Sequence, residues 1–202
     1  MEVIDFFADG IFDENSFLII DEKTGEKAIV DPSFEKGFFY ECDNIKYILL
    51  THGHFDHIAS ALEIKEKFGS QIVCHSLEAD VLKNDKVNLS ILFGDSISFE
   101  ADILLNEFDS LQLGETEIKV LHTPGHTKGS CCYIAENHLF SGDTIMKGTI
   151  GRTDFPTGDY TAIMQSIKKL KALNENYIVH CGHGENSLLD EEKKYNEFFN
   201  QR

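Results

Sequence analysis

The chain has 202 residues, with no tryptophan, three prolines, five cysteines and barely half as many basic as acidic side chains. Each shortage excludes something. The cysteines are odd in number and none stands in a Cys-x-x-Cys pair, which argues against a disulfide scaffold. Cys131 and Cys132 are adjacent in an expected strand, where their side chains point to opposite faces. A reduced, cytoplasmic protein is therefore expected. No apolar run is long enough to span a bilayer, and from the acidic start Met1-Glu-Val-Ile-Asp no signal peptide is expected. Lys and Arg number 18 against 35 Asp and Glu, a net charge of −17. Such a surface repels phosphate backbones and anionic lipid, so neither nucleic acid nor a membrane is an expected partner. At 42% hydrophobic the chain can bury a full core, and residues 1–202 are expected to fold as a single domain.

Against these absences stands one dense motif. Residues 51–57 read Thr-His-Gly-His-Phe-Asp-His, directly after the apolar run Tyr47-Ile48-Leu49-Leu50. Three imidazoles and a carboxylate so close together, at the end of a buried strand, are hard to satisfy as core or as surface. A metal ion between them is the simplest account.

Short strands are expected at Val3–Phe7, Ser16–Ile20, Lys27–Val30 and Ile45–Leu50, with a hairpin turn at 21–25 and Asp31-Pro32 ending the third. Ile58, Leu62, Ile64 and Phe68 have helical spacing that stops at Gly69. A strand at Gln71–Cys74 and a short helix capped by Ser76 follow. Residues 84–109 show no clean period and read as a lid or surface insertion. Strands resume at Glu117–Leu121, Ser130–Ala135, His138–Phe140 and Tyr177–His180. Residues 142–158 form a loop, and helices are expected over Tyr160–Leu173 and Leu188–Phe199. Interspersed helices and turns too short for regular βαβ crossovers imply two mixed sheets covered by helices.

Three further segments place metal-type side chains beside glycine just after a strand: Thr123-Pro-Gly-His126, Ser141-Gly-Asp143 and Gly182-His183. With the first motif they make seven candidate ligands: His52, His54, Asp56, His57, His126, Asp143 and His183. One catalytic zinc takes three protein ligands and a water, whereas two ions sharing a carboxylate use about this many. His75, His122, His138 and His180 are read as structural, and Cys181 as an alternative soft ligand beside His183.

In that order His-x-His-x-Asp-His, Thr-Pro-Gly-His-Thr, Ser-Gly-Asp-Thr and Gly-His-Gly resemble the metallo-β-lactamase superfamily over nearly the whole chain. The loop Gly148 to Tyr160 is similar to that of short, single-domain relatives of the glyoxalase II (hydroxyacylglutathione hydrolase) branch. The resemblance implies a four-layer αββα sandwich, class α/β (α+β), of two mixed sheets flanked by helices. It implies a first metal on His52, His54 and His126, a second on Asp56, His57 and His183, and Asp143 as the bridge. Asp31 would orient ligands without touching metal. The cofactors implied are two divalent ions, zinc foremost, with iron or manganese as alternatives.

The activity implied is thioester hydrolysis, as of S-lactoylglutathione, by a metal-bound hydroxide that Asp56 helps to orient. Arg152 would grip a substrate carboxylate, its alternative being a pair with Asp154 or another acid, with Thr153 and Lys147 as weaker pocket candidates. The C-terminal helical domain that supplies much of the glutathione site in full-length glyoxalase II is not expected here. Rival activities are a mononuclear iron persulfide dioxygenase using a subset such as His52, His126 and Asp143, and hydrolysis of another small ester. β-Lactam and nucleic-acid cleavage fit less well, and a binding-only protein would be expected to have dropped ligands. Oligomeric state is not legible.

Overall fold

The computed structural model describes residues 1–7, 13–33 and 42–201. Six strands form the first sheet: β1 (Glu2–Phe7), β2 (Asn15–Ile20), β3 (Lys27–Val30), β4 (Ile45–Leu49), β5 (Gln71–His75) and β6 (Ile103–Leu105), in that order. β1 to β3 are antiparallel, whereas β3 to β6 run parallel. The second sheet draws on β7 (Ser110–Leu113), β8 (Thr116–His122), β9 (Cys131–Ala135), β10 (His138–Gly142), β13 (Ile178–Cys181) and β14 (Ser187–Leu188). Its order is β14-β13-β10-β9-β8-β7, and β10 and β13 are its parallel pair. A two-stranded ribbon, β11 (Ile145–Met146) and β12 (Thr149–Ile150), lies in the stretch read as a plain loop.

Strand alternation sorts the core into layers. Tyr47 and Leu49 of β4 join Phe17, Val30 and Val73 between the sheets, against Ile118, Val120, Tyr133 and Phe140 of the second. Their neighbours Ile48 and Leu50 face outward and pack under α1 (Phe55–Ile58) and α2 (Ala61–Phe68), with α3 (Ala79–Leu82) beside them. On the far side Leu121, Cys132, Leu139 and Val179 lie under α4 (Tyr160–Lys171) and α5 (Leu189–Tyr195). Cys131 and Cys132 do face opposite layers. The architecture is the expected helix–sheet–sheet–helix sandwich. Each fully buried Ile, Leu or Phe contributes about 1.5–3 kcal/mol, so these continuous layers hold the strand ends rigidly in place. None of the five cysteines forms a disulfide, and no helix among the described residues is long and apolar enough to cross a membrane.

Three local expectations are corrected, and one strand was not foreseen. The helix read over 58–68 begins earlier and breaks at Ala59–Ser60, between α1 and α2. There Ser60 donates its amide to Pro32 O (3.1 Å) and its hydroxyl to Ser33 O (2.5 Å), anchoring the loop after β3 at the expense of helical continuity. The cap at 76 is His75, whose Nδ1 accepts from the Leu77 amide; Ser76 donates to Asn106 Oδ1 instead. Residues 84–109 are not wholly an insertion, because β6 completes the first sheet and Asp102 pairs with both backbone groups of Ile72. β7, an edge strand with a single buried residue, gave no readable alternation.

Candidate metal centre

Parallel strands end on the same side, so the turns after β3, β4, β10 and β13 converge at one edge of the sandwich. The two sheets are tied together there: Cys131 N donates to Thr51 O at 2.9 Å and Tyr133 OH to Leu50 O at 3.0 Å. The sequence candidates assemble at this edge. Ligand atoms of His52, His54 and His126 lie within 4.8 Å of one another, as do those of Asp56, His57 and His183. Asp143 stands between the groups, its Oδ2 3.4 Å from His126 Nε2 and 3.5 Å from His183 Nε2, its Oδ1 3.6 Å from His57 Nε2. Asp56 Oδ2 is 3.5 Å from His183 Nε2.

Hydrogen bonds behind the site decide which imidazole nitrogens face it. Asp31, held at φ 48° after β3, accepts from the Thr51 amide (2.8 Å), the Thr51 hydroxyl (2.5 Å) and His57 Nδ1 (3.1 Å). The Thr51 hydroxyl proton is thus committed, so its oxygen accepts from His52 Nδ1 at 3.1 Å. His126 Nδ1 donates to Arg152 O at 2.8 Å. His52, His57 and His126 are all left with an Nε2 lone pair turned inward.

This arrangement tests whether the residues suit a metal. His57 Nε2 meets His183 Nε2 at 3.2 Å and His54 Nδ1 meets His126 Nε2 at 2.8 Å, with the Asp56 and Asp143 carboxylates close by, so imidazole nitrogens and carboxylate oxygens crowd one space. His52 Nε2, His54 Nε2 and Asp143 Oδ1 are buried without any hydrogen-bond partner. Orphaned buried acceptors are costly and call for an explanation. Burial pushes His57 down, but Asp56, Asp143 and Asp31 outweigh it and lift the imidazole to about 10. Burial and the imidazoles of His57, His126 and His54 hold His52 well below its ordinary value. Burial acts to raise Asp143, yet the His183, His126 and His57 imidazoles keep it well below the usual carboxylate range. A site of lone pairs that demands positive charge fits a pair of dications.

Over this floor opens a cavity of about 400 Å³, reached by His54, Asp56, His126, Asp143 and His183 and walled by apolar side chains. Arg152 lines it. Its fork, however, is taken by Asp154 (2.7 Å through both Nε and Nη2), and its guanidinium lies 3.8 Å from the Phe155 ring centroid. Thr153 and Lys147 do not line the cavity, and Lys147 is ion-paired with Glu185. Cys181 turns its thiol to the carbonyls of His183 (3.0 Å) and Glu185 (3.2 Å), and burial raises it to about 11, away from ligand behaviour. His75 and His122 stack on each other, and His138 bonds His180 at 2.8 Å, all outside the two groups.

Two supports were not read from the sequence. Asn15 Nδ2 donates to Cys181 O (2.9 Å) and Gly184 O (2.8 Å), fixing the turn that carries His183. Glu78 is wholly buried and accepts from Gly53 N (2.8 Å), Thr127 Oγ1 (2.8 Å) and Gly129 N (2.9 Å). It clasps the turn between His52 and His54 to the turn beside His126. A glutamate in a short helix next to Leu77 carries no signal of such a role. Burial raises its carboxyl to about 7, against the partial opposition of those three bonds.

Glu78→Ala strands three donors at about 1–3 kcal/mol each before relaxation and should lower metal affinity by roughly 10–100-fold, read by chelator competition. Glu78→Gln isolates the titration. A group raised from 4.5 to about 7 on folding contributes stability that is present below pH 4.5 and lost as pH rises through 7. The Gln variant should therefore lose that component from melting curves recorded over this window; an unchanged pH slope would contradict it.

Comparison with known proteins accords with this geometry. Residues 9–183 match the Metallo-beta-lactamase superfamily. Hydroxyacylglutathione hydrolase GloC of Haemophilus influenzae is 36% identical over 202 aligned residues, covering 95% of both chains. The crystal structure of the BLEG-1 B3 metallo-beta-lactamase superposes with a TM-score of 0.90 at 32% identity, over 99% of this chain and 100% of that one. TTHA1623 in a di-iron-bound form gives a TM-score of 0.79 at 28% identity, covering 94% of this chain and 96% of that one. The fold, the His-rich edge and these likenesses agree: the chain belongs to the metallo-beta-lactamase superfamily and is a metallo-hydrolase of that kind.

Proposed function

We propose that the protein is a glyoxalase II-type thioester hydrolase that holds two divalent ions, zinc foremost. The observation that carries this reading is Asp143, set between two ligand triads on the floor of an open cavity. In this reading His52, His54 and His126 hold one ion, Asp56, His57 and His183 the other, and Asp143 spans both. Two such ions supply a water of lowered pKa and a Lewis acid for the carbonyl oxygen.

The chain's own residues do the rest. Asp31 locks the His52 and His57 tautomers through Thr51 and directly, so that neither ring swings away. Asp56, buried at the cavity edge beside His183, is placed to accept a hydrogen bond from the attacking water and orient it. The cavity walls would hold the scissile carbonyl over Asp143. A thiolate leaving group has a conjugate-acid pKa of about 8.5 and departs without a dedicated general acid. Among the described residues lining the cavity the titratable side chains are ligand candidates and Arg152, which agrees with that economy. The likeness to GloC supports the thioester class, and the di-iron form of TTHA1623 keeps iron as the second metal to test.

The test is metal analysis of the purified protein combined with a thioester panel that includes S-lactoylglutathione. Two divalent ions per chain with thioester turnover is the expected outcome. One iron per chain with oxygen uptake on glutathione persulfide would replace the hydrolase by a dioxygenase.

A further inference from the structure

We infer that this site selects substrates by an apolar arm flanking the scissile carbonyl, aliphatic or aryl, instead of by a charged thiol such as glutathione. The inference rests on the hydrolase reading for its chemistry but on the cavity wall for its specificity. Phe55, the residue between His54 and Asp56, is 5% exposed and stacks its ring on Phe93 at 4.0 Å with 13° between planes. Phe93 and its neighbour Leu92 are 48% and 69% exposed, and both line the cavity. Met146 and Ile150 of the β11–β12 ribbon and Phe155 line the same cavity. Apolar rims exposed directly over a polar floor gain free energy when a ligand covers them.

The rim is built, not loose. Leu89 enters it at φ 70°, a left-handed conformation that a branched side chain adopts only under constraint. Asn88 supplies that constraint: its Oδ1 accepts from Ser90 N (3.0 Å), its Nδ2 donates to Ile97 O (2.8 Å), and its carbonyl accepts from Phe55 N (2.9 Å). Ser90 Oγ accepts from Ile97 N at 3.0 Å, closing the loop. The backbone of the 89–97 segment is thereby bonded to the metal-site motif itself at Phe55.

Charge points the same way. Arg152 is the sole cation lining the cavity among the described residues, and both its Nε and its Nη2 are engaged by Asp154. An anionic thiol would have to displace Asp154 in a chain of net charge −17, whereas an apolar arm needs no such exchange.

The experiment separates binding from turnover. Metal-loaded full-length protein is titrated by calorimetry with S-methyl and S-hexyl N-acetylcysteamine, which cannot be hydrolysed, and with S-methylglutathione. Full burial is worth about fourfold in affinity per methylene, so S-hexyl should bind at least about tenfold tighter than S-methyl, with S-methylglutathione no tighter than S-methyl N-acetylcysteamine. Phe93→Ser should cut the S-hexyl advantage severalfold. Equal binding of the two chain lengths, tighter binding of the glutathione compound, or an advantage untouched by Phe93→Ser would overturn the inference. Hydrolysis of acetyl and hexanoyl N-acetylcysteamine is measured alongside. Chain-length-dependent binding with no thioester turnover would keep the apolar wall and remove the thioesterase reading. Turnover with no chain-length dependence would do the reverse.

Discussion

Asp143→Asn should leave the protein folded and strip it of both ions. Asn is isosteric with Asp, but it offers one acceptor oxygen and an amide whose hydrogens would point at imidazole lone pairs or at metal. Asp143 faces His126 and His183 through one oxygen and His57 through the other, so its loss weakens both triads together. Changes to residues that merely support ligands cost about 10–100-fold in metal affinity; a residue shared by two ions should cost more. Metal content after dialysis should fall from two per chain to below one, and thioester turnover should fall with it. In excess chelator the variant should still fold but melt lower than the wild type at neutral pH, because the imidazoles that hold Asp143 below the usual carboxylate range stabilise its anion in the fold. Retention of either ion at wild-type affinity would deny Asp143 its shared role.

Gly182→Ala should be nearly as damaging without replacing any candidate ligand. A Cβ at residue 182 would fall on Asp143 Oδ1 and lie 2.8 Å from His57 Cε1 and 3.1 Å from the Gly142 carbonyl carbon. The backbone cannot retreat, because Gly182 N donates to Gly142 O at 2.9 Å and Gly182 O accepts from Asn15 N at 2.7 Å. The side chains of Asp143 or His57 must shift instead. A displacement near 1 Å can cost about 100-fold in rate, and overpacking costs about 1–3 kcal/mol in stability. The expected result is a lowered Tm with kcat/KM reduced on the order of 100-fold. Wild-type metal content and turnover in this variant would mean that the tight contact is not what sets the site.

The spacing of His52, His54, Asp56 and His57 was enough to mark the centre, because four such side chains beside a buried strand have few other uses. The apolar run Tyr47-Ile48-Leu49-Leu50 likewise marked a buried strand, and the structure packs it on both faces. What escaped was fixed by distant contacts. Ser60 breaks a helix whose periodicity looked continuous because the loop after β3 takes its hydrogen bonds. Glu78 resembles any helix-surface glutamate until Gly53, Thr127 and Gly129 close around it. The rim at 89–93 had no period to read, being shaped by Asn88 and a left-handed Leu89. Arg152 was read as a grip for a substrate carboxylate or else as the partner of Asp154 or another acid, and the structure shows the pair with Asp154.

The account stands or falls on two ions sharing Asp143, and anomalous diffraction from zinc-loaded crystals reads this directly. Two peaks roughly 3.5–4 Å apart are predicted, one against His52, His54 and His126, the other against Asp56, His57 and His183, with Asp143 touching both. A single peak, or density away from Asp143, would contradict it.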